Sequence, residues 1–260
     1  MDEQLKTLVR TGLTYLPGCS DAKYILQRVV RRALKRPFEP EFEALRHLSL
    51  RDGRVLVDVG ANRGQSIDAM RLAGAGREIV SFEPNPWLVS RLRREYGSDE
   101  GVTIHELALS DREQTFTLFL PFYRGYMFDG AASLSKEEAE QWLVGRIYRF
   151  DPSLLTLKEF TVRAVRMDSL KLSPSFVKID VQGVELDVIR GATETLTRYR
   201  PTLFIEAPSV ELVKFLQPFG YFAAHWIKSS FKRGFANWGN TFFLTEERWG
   251  SVVPASVVIG

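Results

Sequence analysis

Val55-Leu-Val-Asp-Val-Gly-Ala-Asn-Arg-Gly64 is an apolar run that carries one carboxylate and ends in a turn bounded by two glycines. A short β-branched run that stops at glycine reads as a buried strand, 55–59, and the polar start at Gln65 opens a helix. The same rhythm continues outward. Strands are expected at 78–83 and 102–106 with a helix over 87–96 between them, then a strand at 176–180, a helix over 185–196 and a strand at 202–206. Strands alternating with helices imply a parallel sheet, so the fold class is α/β, doubly wound and Rossmann-like. The C-terminal stretches 219–226 and 241–244 read as extended and, with 212–216 helical before them, supply an antiparallel pair at the sheet edge.

Two regions stand outside this rhythm. Residues 1–50 read as an N-terminal helical cap, with Leu5, Leu8 and Val9 and then Ile25, Val29, Val30 and Ala33 at helical spacing, a break at Leu16-Pro-Gly-Cys19, and a short helix over 41–48. Asp52-Gly53 then turns the chain into a domain over 51–260. Within it, 115–166 reads as an insertion, with an aromatic loop at 122–128 and a helix around 136–142.

Composition bounds the function. The chain has 260 residues, 45% hydrophobic and 26% charged, which suits one soluble globular domain with a sizeable core. A net charge of +3 does not mark a nucleic-acid binder. Trp226, Phe231, Phe235 and Trp238 interleave with Lys228, Lys232 and Arg233, but no RNA-binding module accompanies them and no nucleic-acid partner is expected. The single cysteine, Cys19, forms no intramolecular disulfide, and His47, His105 and His225 offer no zinc spacing. With acidic Asp2 and Glu3 at the start and no long apolar run, the expected location is the cytoplasm. Lys23, Arg28, Arg31, Arg32, Lys35 and Arg36 crowd one acid-free stretch. That stretch, 23–36, suits a solvated helix face, peripheral contact with anionic lipid, or amphipathic pairing in a homo-oligomer.

In an open α/β sheet the ligand lies beyond the carboxyl ends of the strands, where strand order reverses. Asp58, Gly60, Ala61, Asn62, Gly64 and Ser66 fall there, the glycines allowing tight turning and close backbone approach. Asn62 and Gln65 occupy the second and third glycine positions of a dinucleotide fingerprint, which argues against a pyrophosphate cofactor. Asp58 suits a cofactor bearing an ammonium and a sulfonium. Glu83 ends the second strand, where a carboxylate accepts hydrogen bonds from both hydroxyls of a ribose, and Pro84, Asn85 and Pro86 fix the chain leaving it. Ala108 and Leu109 follow the third strand as candidate walls for an adenine.

Taken in order, Asp58-Val-Gly-Ala-Asn-Arg-Gly64, Phe82-Glu-Pro-Asn-Pro86, Ala108-Leu-Ser-Asp111, Lys178-Ile-Asp-Val-Gln-Gly183 and Glu185-Leu-Asp-Val-Ile-Arg-Gly-Ala192 resemble the FkbM family of methyltransferases over roughly residues 50 to 245. The resemblance implies a class I methyltransferase fold with seven strands, one antiparallel, S-adenosylmethionine as donor, and O-methylation of a sugar or polyketide-like hydroxyl. Gln182 departs from the family, which commonly has glutamate there, and Asp129-Gly-Ala-Ala-Ser-Leu134 resembles its small-residue segment ahead of the acceptor region.

Methyl transfer from a sulfonium is an in-line displacement, so a hydroxyl acceptor needs alignment and removal of its proton. Asp180 is the first candidate base, also placed to meet the cofactor. Glu206 ends the next strand, and His225 is the reserve. If Glu185 converges with Asp180 and Glu206, the three offer oxygen ligands to Mg²⁺, the other way to activate a hydroxyl. No metal ligand is assigned. Phe122, Tyr123, Tyr126 and Phe128 are candidates to stack on the acceptor. The expected function is transfer of a methyl group to a saccharide, glycolipid or related hydroxyl. The alternatives are a non-sugar metabolite hydroxyl or amine, and a non-catalytic scaffold that keeps the fold.

Overall fold

The computed structural model describes residues 3–16, 19–48, 50, 53–73, 77–235 and 239–252, without the side chains of 19–23 and 251–252. Pro17, Gly18, Asp52, Trp238 and the side chains of Cys19 and Lys23 lie outside the described residues. In chain order the elements are α1 Glu3–Thr14, α2 Cys19–Ala33, a 3₁₀ segment Pro40–His47, β1 Val55–Val59, α3 Gln65–Ala73, β2 Ile79–Phe82, α4 Pro86–Tyr96 and β3 Val102–His105. There follow β4 Ala108–Leu109, β5 Gln114–Tyr123, β6 Tyr126–Met127, α5 Lys136–Gln141, β7 Leu155–Val165, β8 Pro174–Ile179, α6 Glu185–Arg190 and α7 Thr193–Tyr199. The chain closes with β9 Thr202–Glu206, α8 Val210–Leu216, β10 Tyr221–Ile227, β11 Ser230–Arg233, β12 Asn240–Thr245 and α9 Glu246–Val252.

The chain folds as two compact units, Arg31–Gln114 with Arg163–Gly260, and Met1–Val30 with Thr115–Val162. The first is built on an eight-stranded sheet of order β11-β10-β12-β9-β8-β1-β2-β3. β3, β2, β1, β8 and β9 pair in parallel, while β12 runs against both β9 and β10, and β11 runs against β10. This is the doubly wound α/β class. The chain winds outward from β1 to β3 and later resumes at β8 on the other side of β1, so strand order reverses between β1 and β8. The sheet has eight strands rather than seven because Lys228 and Ser229, both at positive φ, turn 230–233 back as a hairpin.

The central strands are buried on both faces, and their alternate side chains divide between two apolar layers. Val57 and Val59 face Val188, Ile189, Leu196, Leu212 and Leu216 of α6, α7 and α8. Leu56 faces Ile67 and Met70 of α3 and Phe42 and Leu45 of the 3₁₀ segment. The expected single helix over 185–196 is two. At Gly191 a side-chain carbon would lie 1.9 Å from the Ser110 carbonyl oxygen, so the backbones touch there and the helix stops. Asp168 restarts it, its carboxylate accepting from the amides of Glu194 at 3.1 Å and Thr195 at 2.9 Å.

The other unit holds most of β5 and β7, the short β6, α5 and α1. Where the sequence reads as a loop with one helix, β5 and β7 are long strands, and the aromatics fill their core. Tyr123, Tyr126 and Phe128 are buried with Leu143 and Ile147, and Phe122 is buried too, so these rings pack inward instead of standing open to an acceptor.

Candidate active site

The turn after β1 is fixed by contacts that tolerate no side chain. Gly60 has φ +82°, and a Cβ on it would lie 1.8 Å from the carbonyl oxygen of Asp180. The ends of β1 and β8 therefore meet backbone to backbone at the reversal point, and the carbonyl of Gly60 accepts a 2.8 Å hydrogen bond from Lys178 Nζ. Gly64, at φ +85°, leaves room for the Tyr96 ring, whose hydroxyl donates to the Gly64 carbonyl at 2.9 Å.

Asp58 lies beneath this turn with no exposed surface. Its Oδ2 accepts from Ser66 Oγ at 2.8 Å and Ser81 Oγ at 3.3 Å, and its Oδ1 is 3.6 Å from Lys178 Nζ. Its counter-charge is thus Lys178, the central buried cation of the site, which also lies 3.4 Å from Asp180 Oδ2. Burial alone would lower the Lys178 ammonium, but Asp58, Asp180 and Glu39 outweigh it and hold the group above its ordinary value.

Glu83 forms the second feature. It is almost wholly buried, and its two oxygens accept from the backbone amides of Asn62 at 2.8 Å and Asn85 at 2.9 Å. The amide of Glu83 donates to the His105 carbonyl, and Asn85 caps α4 through the amide of Trp87. Burial pushes the Glu83 carboxyl up to about 7, against the lowering effect of its two amide donors. Beside it, Asn62 Oδ1 and Asn85 Nδ2 are buried and have no protein partner. Buried polar atoms are ordinarily paired, so an orphan acceptor and an orphan donor flanking a buried carboxylate indicate a polar ligand. Ala61 is buried and Pro84 half-buried along the same rim, whereas Leu109 is buried in the apolar layer beside α6 and Ala108 pairs with Ala164 of β7.

Asp180 and Glu206, at the ends of the adjacent strands β8 and β9, form the third. Gln182, at φ +59°, donates through Nε2 to Asp180 Oδ1 at 2.9 Å and Glu206 Oε2 at 3.4 Å, bridging the pair. Hydrogen bonding to Asp180, burial, and the Asp180 charge together push the exposed Glu206 carboxyl up to about 8. Burial would raise Asp180 as well, but Lys178 and hydrogen bonds from Glu206 and Gln182 hold it below its ordinary value. The two shifts run in opposite directions, so of the pair Glu206 is the member that takes up a proton more readily.

The expected convergence of three carboxylates does not occur. Glu185 turns back on its own loop, its Oε1 accepting from the amides of Val181 at 3.3 Å and Gly183 at 3.0 Å. Among the described residues no group of three His, Cys, Asp or Glu side chains is arranged to hold a metal ion. His225 lies on β10, two strands from β9 and so roughly 10 Å from Glu206 in the sheet. It is outside hydrogen-bond reach of the pair, and its Nε2 is buried without a partner.

Sequence reasoning missed Glu39 and the role of Lys178. Glu39 comes from the region ahead of β1, accepts from Asn240 Nδ2 at 3.0 Å, and is raised above its ordinary value by burial, with Lys178 opposing and Asp180 adding to the shift. No local motif marks it. Lys178 carried a signal, since a lysine inside an otherwise apolar strand needs a carboxylate partner.

The chain matches known proteins in this region. The model of the methyltransferase FkbM domain covers residues 58–236. The 2-O-methyltransferase NoeI of Sinorhizobium fredii is 24% identical over 169 residues, 56% of this chain and 60% of NoeI. Among solved structures, a methyltransferase FkbM from Methylobacillus flagellatus aligns with a TM-score of 0.47 at 16% identity, over 76% of this chain and 47% of its own. An S-adenosylmethionine-dependent O-methyltransferase from Thermotoga maritima aligns at 0.40 and 11%, over 80% of this chain and 65% of its own. The chain thus spans 60% of the length of its curated relative and about half of that FkbM structure. With the family's domain matched over well more than half of its residues, from the carboxylate beneath the β1 turn to beyond β11, the chain belongs to the FkbM methyltransferase family.

Proposed function

We propose that the chain is an S-adenosylmethionine-dependent O-methyltransferase whose acceptor is a hydroxyl of a saccharide, glycolipid or related metabolite. The observation that carries this reading is Glu83, a buried carboxylate held by two amides between an orphan acceptor and an orphan donor. That donor and acceptor set fits an adenosine. Glu83 accepts from the two ribose hydroxyls while Asn62 and Asn85 offer one acceptor and one donor more. The glycine at 60 lets the ends of β1 and β8 meet backbone to backbone at the reversal point, which fixes the turn that carries Asn62. Asp58, with no exposed surface, and Lys178, which donates to the Gly60 carbonyl, act by holding the turn.

S-adenosylmethionine, when bound, supplies an electrophilic methyl group. The residues of the chain supply alignment and proton removal. Glu206 stands exposed at the rim beside Asp180, and its carboxylate takes the proton that an acceptor hydroxyl sheds as its oxygen forms the new bond. Asp180 sets the affinity of Glu206 for that proton, and Gln182 orients both. A base near 8 combines a useful ionised fraction with real basicity at neutral pH. That NoeI is a 2-O-methyltransferase supports oxygen as the acceptor atom. Nothing in the donor set favours Mg²⁺.

The test is methyl transfer from isotope-labelled S-adenosylmethionine to a panel of saccharides, glycolipids, phenols and amines, read by mass spectrometry. The reading expects a methyl ether on a sugar hydroxyl, with turnover lower by about 100-fold or more in Glu206→Gln. Products on amines alone, or unchanged turnover in that variant, would contradict it.

A further inference from the structure

The polarity of α2 is inverted. At helical spacing Ile25, Leu26, Val29 and Val30 form one apolar stripe, which a helix of a soluble protein turns toward its core. Here they are 50%, 65%, 58% and 45% exposed, and Leu34 just beyond is 61% exposed. At the C-terminal end of the helix the polar contacts are made by guanidinium groups. Arg32 lies 2.6 Å from Asp68 Oδ1 and 3.9 Å from Glu95 Oε1, and Arg31 donates to the Pro37 carbonyl at 3.3 Å with its guanidinium over the Phe38 ring. The four apolar side chains thus stand exposed along one stripe of the helix. From Ala22 to Phe38 the sequence has no acidic residue.

We infer that this face of α2 docks on an anionic lipid surface, with the apolar stripe in the headgroup and acyl boundary and Lys35 and Arg36 against the phosphates. Charge selects this occupant. A second copy of the chain would bring two acid-free basic segments together, whereas an anionic bilayer neutralises them while covering the apolar side chains. No helix among the described residues is long and apolar enough to cross a membrane, so the contact is peripheral.

The inference is independent of the proposed chemistry and is tested with the full chain. Its partition is measured by co-sedimentation with vesicles of phosphatidylcholine alone and of equal parts phosphatidylcholine and phosphatidylglycerol. Binding is expected to the anionic vesicles only, to fall with added salt, and to weaken roughly tenfold or more in Lys35→Ala/Arg36→Ala and again in Leu26→Gln/Val30→Gln. All four positions are exposed, so thermal melts of the variants match the parent. Equal or absent partition to the two vesicle types overturns the inference. So does a concentration-dependent dimer, seen by analytical ultracentrifugation, that Val29→Asp dissociates, since the stripe would then be covered by a second copy.

Discussion

Gly60 and Lys178 hold the site together by different physics. At Gly60 both the positive φ and the contact with the Asp180 carbonyl exclude a side chain, so Gly60→Ala forces β1 and β8 apart. A drop in stability beyond about 2 kcal/mol in denaturant unfolding is expected, with loss of cofactor binding. Lys178→Met removes the buried cation that lies beside Asp58 and Asp180, leaving these carboxylates without its compensation, and should cost about 3–5 kcal/mol. A variant as stable as the parent would show that the ammonium is dispensable. Glu206→Gln is a chemical rather than structural change at an exposed rim. In the parent, turnover should rise with pH through an apparent value near 8, as Glu206 ionises, and the variant should lose that rise along with most of its rate.

At the scale of elements, the hairpin between β10 and β11 rests on Lys228 and Ser229, both left-handed without being glycine. Lys228→Asn/Ser229→Gly supplies the residues such a turn favours and should stabilise the fold by roughly 1 kcal/mol, read as a higher melting temperature. The same two residues explain why β11 was not legible, since no Asn-Gly or Asp-Gly pair announces the turn. Elements whose signal is local were readable. β1, β2, α4 and β3 follow from apolar runs and from the Pro84-Asn85-Pro86 stretch that separates β2 from α4, and with them come Asp58, Gly60, Asn62 and Glu83. Elements set by tertiary contact were not. The break at Gly191 needs the Ser110 carbonyl pressed against it, β5 and β7 take their strand form from pairing across a long intervening segment, and Glu39 reaches Asn240 only once the sheet is assembled. The glutamine at 182 was visible as a departure, but its bridging of Asp180 and Glu206 depended on a left-handed backbone that sequence does not display.

At the scale of the whole molecule, the raised carboxyls make a statement about stability. Glu83 at about 7 and Glu206 at about 8 both lie above their ordinary 4.5, so between those values the folded state binds more protons than the unfolded chain. Stability therefore falls as pH rises from about 5 to about 8, the two contributions being fully present below the unfolded value and lost as each group ionises. His105, held below its ordinary value by burial and then by Arg93, works the other way. A melting temperature that declines across this range, less steeply in Glu206→Gln, is the expected result. Ligand binding at Glu83 should oppose the decline, because its carboxylate form then gains partners.

That coupling leads to calorimetric titration of the folded chain with S-adenosylmethionine and S-adenosylhomocysteine, repeated on Glu83→Ala and on Glu83→Gln, with thermal melts verifying that each is folded. Micromolar binding by the parent, weakened at least about tenfold in both variants, is the predicted result. A folded parent that binds neither compound, or variants that bind as tightly as the parent, would contradict the assignment of the β1 turn and Glu83 as the cofactor site.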